Sequence, residues 1–292
     1  MHGIIIVNQD NSHNEYKIKR LKEEALLLDI ELSVMVNNGS LAYIDKSGDV
    51  KISLDADFII YLDKDIYFAK MLEEAGYIVF NDSNFLKTCD DKMFTYISLV
   101  NKGIRMPLTM SSPLIYRNEI SDNNLLFLDE VIKKIGIPLV VKKMYGSLGL
   151  GVYLVNSMDE LVKVYKENFM YPMLFQQYIA SSFGRSIRVL VIDHQIFGAF
   201  ERFNKDDFRS NFGKTATSKP IVLEKEYEDM ARRVIDALNI KYAGIDILFG
   251  EDGPYLCEVN SNAFFEEFEK VTGKNVAKAY LEMIKKEMRN HE

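Results

Sequence analysis

Three oxygen-bearing side chains near the end of the chain stand where strand pairing would bring them together. Two apolar runs flank Glu251-Asp252-Gly253, a composition typical of an antiparallel hairpin. A turn symmetric about Asp252 places Asp246 opposite Glu258, with Asn260 on the same face. Two carboxylates and an amide suit Mg²⁺, so the hairpin predicts a cation site. A solvent-facing pair of carboxylates is the alternative that these residues leave open.

A second group of residues has the chemistry of a phosphate site. Between predicted strands at 138–143 and 152–156 lies a turn that contains Gly146, Gly149 and Gly151. Glycines let the backbone approach an anion closely and direct N–H groups at it, and Lys142 adds positive charge. The dinucleotide fingerprint is excluded, because Leu148 stands where it needs glycine and a strand follows instead of a helix. The residues leave open a phosphate-binding turn and an ordinary hairpin.

An arginine is predicted near the same carboxylates. Two strands are joined by Asp193-His194, and a two-residue turn would place Ser186 opposite Glu201, with Arg188 on their face. Arg188 is then expected to pair with Glu201 and to present its guanidinium to an anion. A purely structural ion pair across the strands explains these residues equally.

Length and composition limit the class of protein. The 292 residues, 48% of them hydrophobic, are too many for one small core and suit two or three lobes. No apolar run approaches the roughly 18 residues of a membrane helix, and the N-terminus lacks the features of a signal peptide. We therefore expect a cytoplasmic enzyme that does not bind membranes.

Charge and cysteine content narrow the partners. The net charge of −7 argues against nucleic acid, which proteins bind through clustered Lys and Arg. Cys89 and Cys257 lie far apart without metal-ligand spacing, which indicates reduced, structural thiols.

The elements that must position these side chains begin with a β-α-β alternation, which predicts a parallel sheet. Its strands are expected at 4–7, 32–36, 58–62 and 77–80, and its helices at 15–28 and 65–75. Further helices are expected at 92–102, 126–135, 158–168, 224–238 and 276–289. The polar segment 205–220 is expected to be a long loop, which is usually either functional or disordered.

Read together, the motifs resemble the RimK-like (ribosomal protein S6 modification, glutamate ligase) branch of the ATP-grasp superfamily. The ordered set is Asp91-Lys92, PLVVK at 138–142, GSLGLG at 146–151, QQYI at 176–179, DFRSN at 207–211, AGID at 243–246, EVN at 258–260 and EKVTG at 269–273. No single motif is decisive, and the match covers roughly residues 90–290.

The resemblance implies a mixed α/β and α+β architecture, the ATP-grasp fold. An N-terminal α/β lobe with a parallel sheet, residues 1–85, helps to form the substrate cleft. A central α+β lobe, 86–173, carries the glycine-rich turn, and a C-terminal α+β lobe, 174–292, carries the metal site. The last two lobes would grip ATP between them.

The resemblance also assigns roles. ATP would contact Lys92, Lys142, Gly146, Ser147, Gly149, Gly151, Gln177, Tyr178, Ser186, Arg209, Ser210 and Asn211. Mg²⁺, or Mn²⁺ in its place, would bind to Asp246, Glu258 and Asn260. Arg188, Arg209 and Asn211 would act in catalysis by stabilising the transferred phosphate. No side-chain nucleophile is expected.

The implied reaction is ATP-dependent joining of a carboxylate to an amine through an acylphosphate. An amino acid such as glutamate is the expected amine donor, and the acceptor is a small molecule, a peptide or a protein C-terminus. A homodimer or homotetramer is expected. Two alternatives stay open: a catalytically silent ATP-binding regulator or scaffold, and an ATP-grasp phosphotransferase.

The chain departs from the branch at four places. Gln177 replaces a glutamate before the hinge tyrosine, and Ser186 replaces an aspartate. The segment 212–216, which includes Lys214, replaces a basic double-glycine stretch, and 261–267 replaces a Ser-Pro-Gly turn. The last two segments would border the acceptor, so the resemblance predicts the reaction class and not the substrate.

Overall fold

The computed structural model describes residues 1–9, 12–116, 119–146, 149–213 and 215–291. Its N-terminal part is a parallel sheet of order β2-β1-β5-β6, as the β-α-β alternation predicts. The strands are β1 (His2–Asn8), β2 (Glu31–Asn37), β5 (Phe58–Tyr61) and β6 (Val79–Phe80), and a small hairpin consists of β3 (Tyr43–Ile44) and β4 (Val50–Lys51). The helices are α1 (Glu15–Leu27) and α2 (Ile66–Glu74).

A second sheet is antiparallel and has the order β7-β10-β8-β9. Its strands are β7 (Thr109–Ser111), β8 (Leu139–Lys143), β9 (Val152–Val155) and β10 (Met173–Gln177). The helices α5 (Asp122–Ile135) and α6 (Met158–Asn168) supply Leu128, Val131 and Leu161 to its core.

A third sheet is also antiparallel, of order β13-β12-β11-β14-β15. Its strands are β11 (Arg185–Ile192), β12 (Gln195–Phe203), β13 (Thr217–Ile221), β14 (Tyr242–Gly250) and β15 (Gly253–Asn260). The remaining helices are α3 (Ser83–Asp90), α4 (Lys92–Ser98), α7 (Lys225–Leu238), α8 (Glu266–Thr272) and α9 (Val276–His291).

The hydrophobic cores cross the expected domain boundaries. Residues of α9 share one core with β1 and β5 of the N-terminal sheet, and Phe85 and Cys89 of α3 pack with the third sheet. In addition, β10 pairs with β7 and β8 in the second sheet. We therefore propose that the boundary between the central and C-terminal lobes follows Gln177 instead of residue 173.

The predicted register of the β14–β15 hairpin is confirmed. Asp246 faces Glu258, and Gly244 faces Asn260. The turn is shorter than a symmetric loop about Asp252 requires, since Gly250 pairs with Gly253. A bulge between Asp246 and Ile247 adds the missing residue.

The predicted register of β11 and β12 is wrong. A bulge between Leu190 and Val191 shifts the pairing by one residue, so that Ser186 faces Arg202 and not Glu201. A one-residue shift moves side chains to the opposite face of a sheet. Accordingly, Arg188 does not pair with Glu201, which instead contacts Arg185 and Lys219.

The predicted loop 205–220 is too long. Its end forms strand β13, which pairs antiparallel with β12. Residues 217–221 read TSKPI, a polar run with a proline that gives little strand signal. Its place at the sheet edge explains how the sheet accommodates Pro220, because proline has no backbone N–H to donate and an edge strand lacks a neighbouring strand on one side.

Lys17 of α1 is almost fully buried and links the N-terminal lobe to the segment after β15. Its Nζ donates to Asn262 Oδ1 at 2.6 Å and to the Ala263 carbonyl at 3.2 Å, and lies 4.7 Å from the centre of the Tyr242 ring. Asn262 in turn donates to the Leu62 carbonyl at 2.8 Å. Burial lowers the pKa of Lys17 to about 7.

This buried lysine predicts a pH-dependent stability. Between pH 7 and 10.5 the unfolded chain holds the Lys17 proton more tightly than the folded protein, so the free energy of unfolding rises with pH across that range. Relative to Lys17→Met, we expect the wild type to gain about 2–4 kcal/mol between pH 7 and 10. Denaturant unfolding at several pH values measures this gain.

The control is Lys19→Met, which removes an exposed lysine of the same helix. The unfolding free energy of Lys19→Met should rise with pH by the same amount as that of the wild type. If the unfolding free energy of Lys17→Met also rose with pH as in the wild type, Lys17 would not be the cause of the rise.

Within the described residues, no helix combines the length and apolar character needed to cross a membrane.

Candidate functional site

A cleft lies between the second and third sheets and has a cavity volume of about 130 Å³. Apolar side chains form part of its walls: Val140, Leu150, Val152, Ile179, Phe208 and Leu248. Most predicted site residues line the remainder: Lys92, Lys142, Gly146, Gly149, Gln177, Tyr178, Ser186, Arg209, Ser210, Asn211, Asp246 and Glu258. The fold thus brings into one cleft residues that the sequence spreads over more than half of its length.

Two lysines reach the cleft from the central lobe. Lys142 of β8 is buried, and its Nζ donates to Gln176 Oε1 at 2.7 Å. Gln176 is itself fixed by donating to Tyr96 Oη at 2.9 Å and Thr109 Oγ1 at 3.0 Å. Lys92 begins α4, where the Asp91 carboxylate caps the helix, and its Nζ donates to the Gly146 carbonyl at 3.0 Å. The Lys92 ammonium is therefore held at the glycine-rich turn, and the Lys142 ammonium is held at β10.

The glycine-rich turn contacts the segment that carries Arg209. Arg209 Nη1 donates to the Gly149 carbonyl at 3.0 Å, while Asp207 holds the other side of the guanidinium at 2.8–2.9 Å. The Phe212 ring stacks on Arg209 at 3.5 Å. Gly149 has φ +71, a conformation that disfavours other residues. The two segments together close one side of the cleft.

The other end of the cleft suits a flat aromatic base. Gln177 ends β10 and Tyr178 follows it, so the backbone leaves the ladder at that point. Beside them lie Val140, Ile179 and Leu248, which offer apolar contact. Apolar walls with a few polar groups beside them are typical of a small-molecule pocket, and this end of the cleft can receive a nucleobase.

The predicted metal ligands converge on one face of the β14–β15 hairpin. Asn260 Nδ2 lies 3.3 Å from Asp246 Oδ2 and 3.1 Å from Glu258 Oε1. Within the described ranges, no group of three or more His, Cys, Asp or Glu side chains is arranged to hold a metal. Two carboxylates and one amide nevertheless form an all-oxygen set when the Asn260 amide turns, and this fits a hard cation such as Mg²⁺.

Arg188 pairs with Asp246 across adjacent strands. Its Nη2 donates to Asp246 Oδ2 at 2.6 Å, and its Nε donates to Oδ1. Both side chains are buried. Burial lowers the pKa of Arg188, but the Asp246 charge and hydrogen bonds outweigh it and raise that pKa overall. Burial also raises the pKa of Asp246, against the opposing effect of Arg188.

Positive charge keeps Glu258 ionised. Burial alone would raise its pKa, but Lys92 and Lys142, with the Asn260 hydrogen bond, lower the pKa to about 2. Burial raises the pKa of the neighbouring Cys257 thiol to about 11, so that thiol is neutral near pH 7. The cleft therefore presents a carboxylate between two lysines, which is suited to a cation bound to a polyphosphate.

Some predicted residues take other places. Ser186 Oγ lies 2.6 Å from Ser210 Oγ, so it contacts the Arg209 segment. Gly151 closes the turn with φ +72 and does not line the cleft among the residues described. Ser147 and Lys214 lie outside the described residues.

Gln176 and Arg202 are among the polar cleft residues that sequence reasoning missed. Gln176 lies in the QQYI motif, from which no role for it is predicted, although it orients Lys142. Arg202 was missed because the predicted register placed Glu201 on the cleft face. The bulge between β11 and β12 cannot be recognised from the alternation of polar and apolar residues in the sequence.

The sequence of this chain is similar to a known protein family and to several known proteins. The family model of the RimK-like ATP-grasp domain matches residues 89–284. A probable alpha-L-glutamate ligase of Shewanella denitrificans is 32% identical over 222 residues, which cover 74% of this chain and 72% of the relative. An uncharacterised protein of Mycoplasma pneumoniae is 32% identical over 245 residues, covering 83% of this chain and 84% of its own.

Solved structures share the fold at low sequence identity. D-alanine–D-alanine ligase from Bacillus anthracis is 19% identical with a TM-score of 0.75 and covers both chains fully. The ATP-grasp ligase PsnB, in a complex with a precursor variant, Mg and ADP, is 16% identical with a TM-score of 0.70 and covers 98% of each chain. At these identities the likeness establishes the architecture alone.

Proposed function

Because this chain belongs to the RimK-like ATP-grasp family, a family of ligases, we propose that it is an ATP- and Mg²⁺-dependent carboxylate–amine ligase. An amino acid such as glutamate is the proposed amine donor. The observation that carries the proposal is the pairing of Asp246 with Glu258 beside Asn260, in the cleft that Lys92 and Lys142 also line. Such a site suits Mg²⁺ bound to a triphosphate.

In the proposed complex, ATP lies along the cleft. The base lies between Val140, Ile179 and Leu248, beside the backbone of Gln177 and Tyr178. The phosphates lie at the glycine-rich turn, with Lys92 and Lys142 beside them. The structure of PsnB with Mg and ADP supports the choice of ligands by its common fold.

The reaction is proposed to have two steps. A carboxylate oxygen of the acceptor attacks the γ-phosphorus of ATP, the bond to ADP breaks, and an acylphosphate forms. The amine nitrogen then attacks the acyl carbon, phosphate leaves, and the nitrogen loses a proton to give an amide. Mg²⁺ held by Asp246, Glu258 and Asn260 would neutralise phosphate charge.

The residues of the chain position and neutralise the reacting groups. Lys92 and Lys142 offset the negative charge that spreads over the transferred phosphoryl group. Arg209 and Asn211 approach that group from the opposite side of the cleft, and Arg188 fixes the orientation of Asp246. No protein nucleophile is required, in keeping with the neutral Cys257 thiol.

The proposal predicts ATP turnover that depends on an amine. Purified protein with ATP, Mg²⁺, a panel of amino acids and acceptors from cell extract should release ADP and phosphate only when an amino acid is present. Mass spectrometry should find a product heavier than the acceptor by one amino acid less water. Asp246→Ala should abolish this turnover, whereas Asp229→Ala, at an exposed position of α7, should retain it.

Two results would redirect the proposal. A stable phosphorylated product would indicate a phosphotransferase. Tight ATP binding without amine-dependent turnover for any pair in the panel would indicate a regulator or scaffold.

We also propose a cytoplasmic location, supported by the free thiols of Cys89 and Cys257. A homodimer or homotetramer remains part of the proposal, and mass photometry of the purified protein tests it.

A further inference from the structure

Arg202 is a buried guanidinium at the metal end of the cleft to which the proposed mechanism gives no task. It lies on β12, opposite Ser186, and lines the cleft. Its Nε and Nη2 donate to Glu267 Oε2 at 2.9 and 2.7 Å. The third nitrogen, Nη1, lies 3.7 Å from Asp246 Oδ1 and makes no hydrogen bond to any residue in the described part of the chain.

The unused nitrogen lies where an anion is needed. Arg188 already donates to both oxygens of Asp246. Arg202 Nη1, at 3.7 Å, is too far from that carboxylate to form a hydrogen bond with it. The Arg202 side chain is buried, and within the described residues its Nη1 has no carboxylate oxygen at hydrogen-bond distance. A carboxylate next to Nη1 would supply the missing partner and would lie beside Asp246.

Glu267 fixes the direction of Arg202. It belongs to α8 and is the last residue of the segment 261–267, in which the chain departs from the family pattern. Ser218 Oγ of β13 donates to Glu267 Oε1, so both carboxylate oxygens are engaged. With Nε and Nη2 bound to Glu267, the planar guanidinium can direct only Nη1 into the cleft.

We propose that Arg202 binds the carboxylate of the acceptor through Nη1, and that Glu267 is the positioning residue that aims Arg202 at it. This inference rests on the proposed function, because it places the acceptor beside the predicted metal ligand Asp246. A carboxylate oxygen held there is adjacent to the phosphate end of the cleft, as attack on the γ-phosphorus requires.

The test uses acetate as the probe, on protein loaded with Mn²⁺ and ADP. Mn²⁺ is paramagnetic and shortens the relaxation time of ¹³C in acetate that is bound nearby. This measurement also detects a ligand that binds weakly. We expect acetate, but not neutral acetamide, to show this effect with the wild type. Arg202→Met should weaken acetate binding about tenfold or more, the loss of one charge-assisted hydrogen bond, while Mn²⁺ and ADP still bind.

Variants of Glu267 separate positioning from folding. Glu267→Gln should weaken acetate binding about threefold to tenfold in the wild type and should have no further effect in Arg202→Met. Arg202→Lys, which keeps the charge but loses the planar fork, should bind acetate with intermediate strength. The exposed ion pair of Arg232 and Glu228 on α7 supplies the matched controls Arg232→Met and Glu228→Gln, which should bind acetate like the wild type.

Each contrary result has a distinct meaning. Wild type that does not relax acetate, or Arg202→Met that relaxes it as strongly as wild type, overturns the assignment of Arg202. An equal further loss on adding Glu267→Gln to Arg202→Met shows that Glu267 does not act through Arg202. Failure of Mn²⁺ and ADP to bind the wild type refutes the proposed function itself, and the inference with it.

Discussion

Replacing Glu258 by glutamine should lower the kcat/KM of ATP-dependent turnover by at least about a thousandfold. The substitution keeps the size of the side chain and removes its charge. Lys92 and Lys142 would then lack their common partner, and the proposed cation would lose one of two carboxylate ligands. The apparent affinity for Mg²⁺, measured by varying Mg²⁺ at fixed ATP, should fall together with turnover.

The pH dependence gives a second measure of the same residue. The pKa of Glu258 is depressed to about 2, so the carboxylate stays ionised in the folded protein at every pH from about 3 upward. Turnover should therefore show no acidic limb from Glu258 between pH 5 and 8. The exposed Glu228→Gln is the control and should leave kcat/KM unchanged; Glu258→Gln with wild-type Mg²⁺ dependence would refute the metal assignment.

Gly244→Ala should destabilise the C-terminal lobe by disturbing the buried pair of Arg188 and Asp246. A Cβ at Gly244 would lie 2.7 Å from Arg188 Nη1 and 3.0 Å from its Cδ, so Arg188 must leave Asp246. A buried carboxylate that loses its partner costs about 3–5 kcal/mol of unfolding free energy. Denaturant unfolding should record that loss, and binding of Mg²⁺ and ADP should weaken with it.

A double-mutant cycle identifies the cause of the damage. In an Arg188→Met background the guanidinium is absent, so adding Gly244→Ala should cost clearly less than it costs in the wild type. An equal cost in both backgrounds would show that the methyl acts through Ala263, whose Cβ lies 3.1 Å from the same position, and not through the ion pair.

Alternation and glycine spacing predicted the parts of the site that depend on local pairing. Asp246 and Glu258 face each other because the hairpin returns directly, so sequence separation alone carried the prediction. The parallel sheet and the helix that Asp91 opens follow from equally local signals. The convergence of Lys92 and Lys142 with that hairpin was expected only through the family resemblance, since no local pattern relates positions so far apart.

The errors have one physical origin. An extra residue in β12, Phe197, lies opposite the step from Leu190 to Val191 and shifts the pairing by one residue. Arg188 therefore pairs with Asp246, and Glu201 pairs with Arg185. An apolar run such as VLVI at 189–192 reads the same in either register. Strand β13 was missed for a related reason, since an edge strand needs few apolar residues and tolerates proline.

The position of Lys17 has a consequence for how the molecule opens. Lys17, Asn262 and the Leu62 carbonyl form a chain of hydrogen bonds between the two ends of the polypeptide, and α1 and α9 lie in the same core. The first and last lobes are therefore packed together as one unit. We expect the sheet of β7 to β10, which joins the rest of the chain before Thr109 and after Gln177, to be the part that moves when the cleft opens.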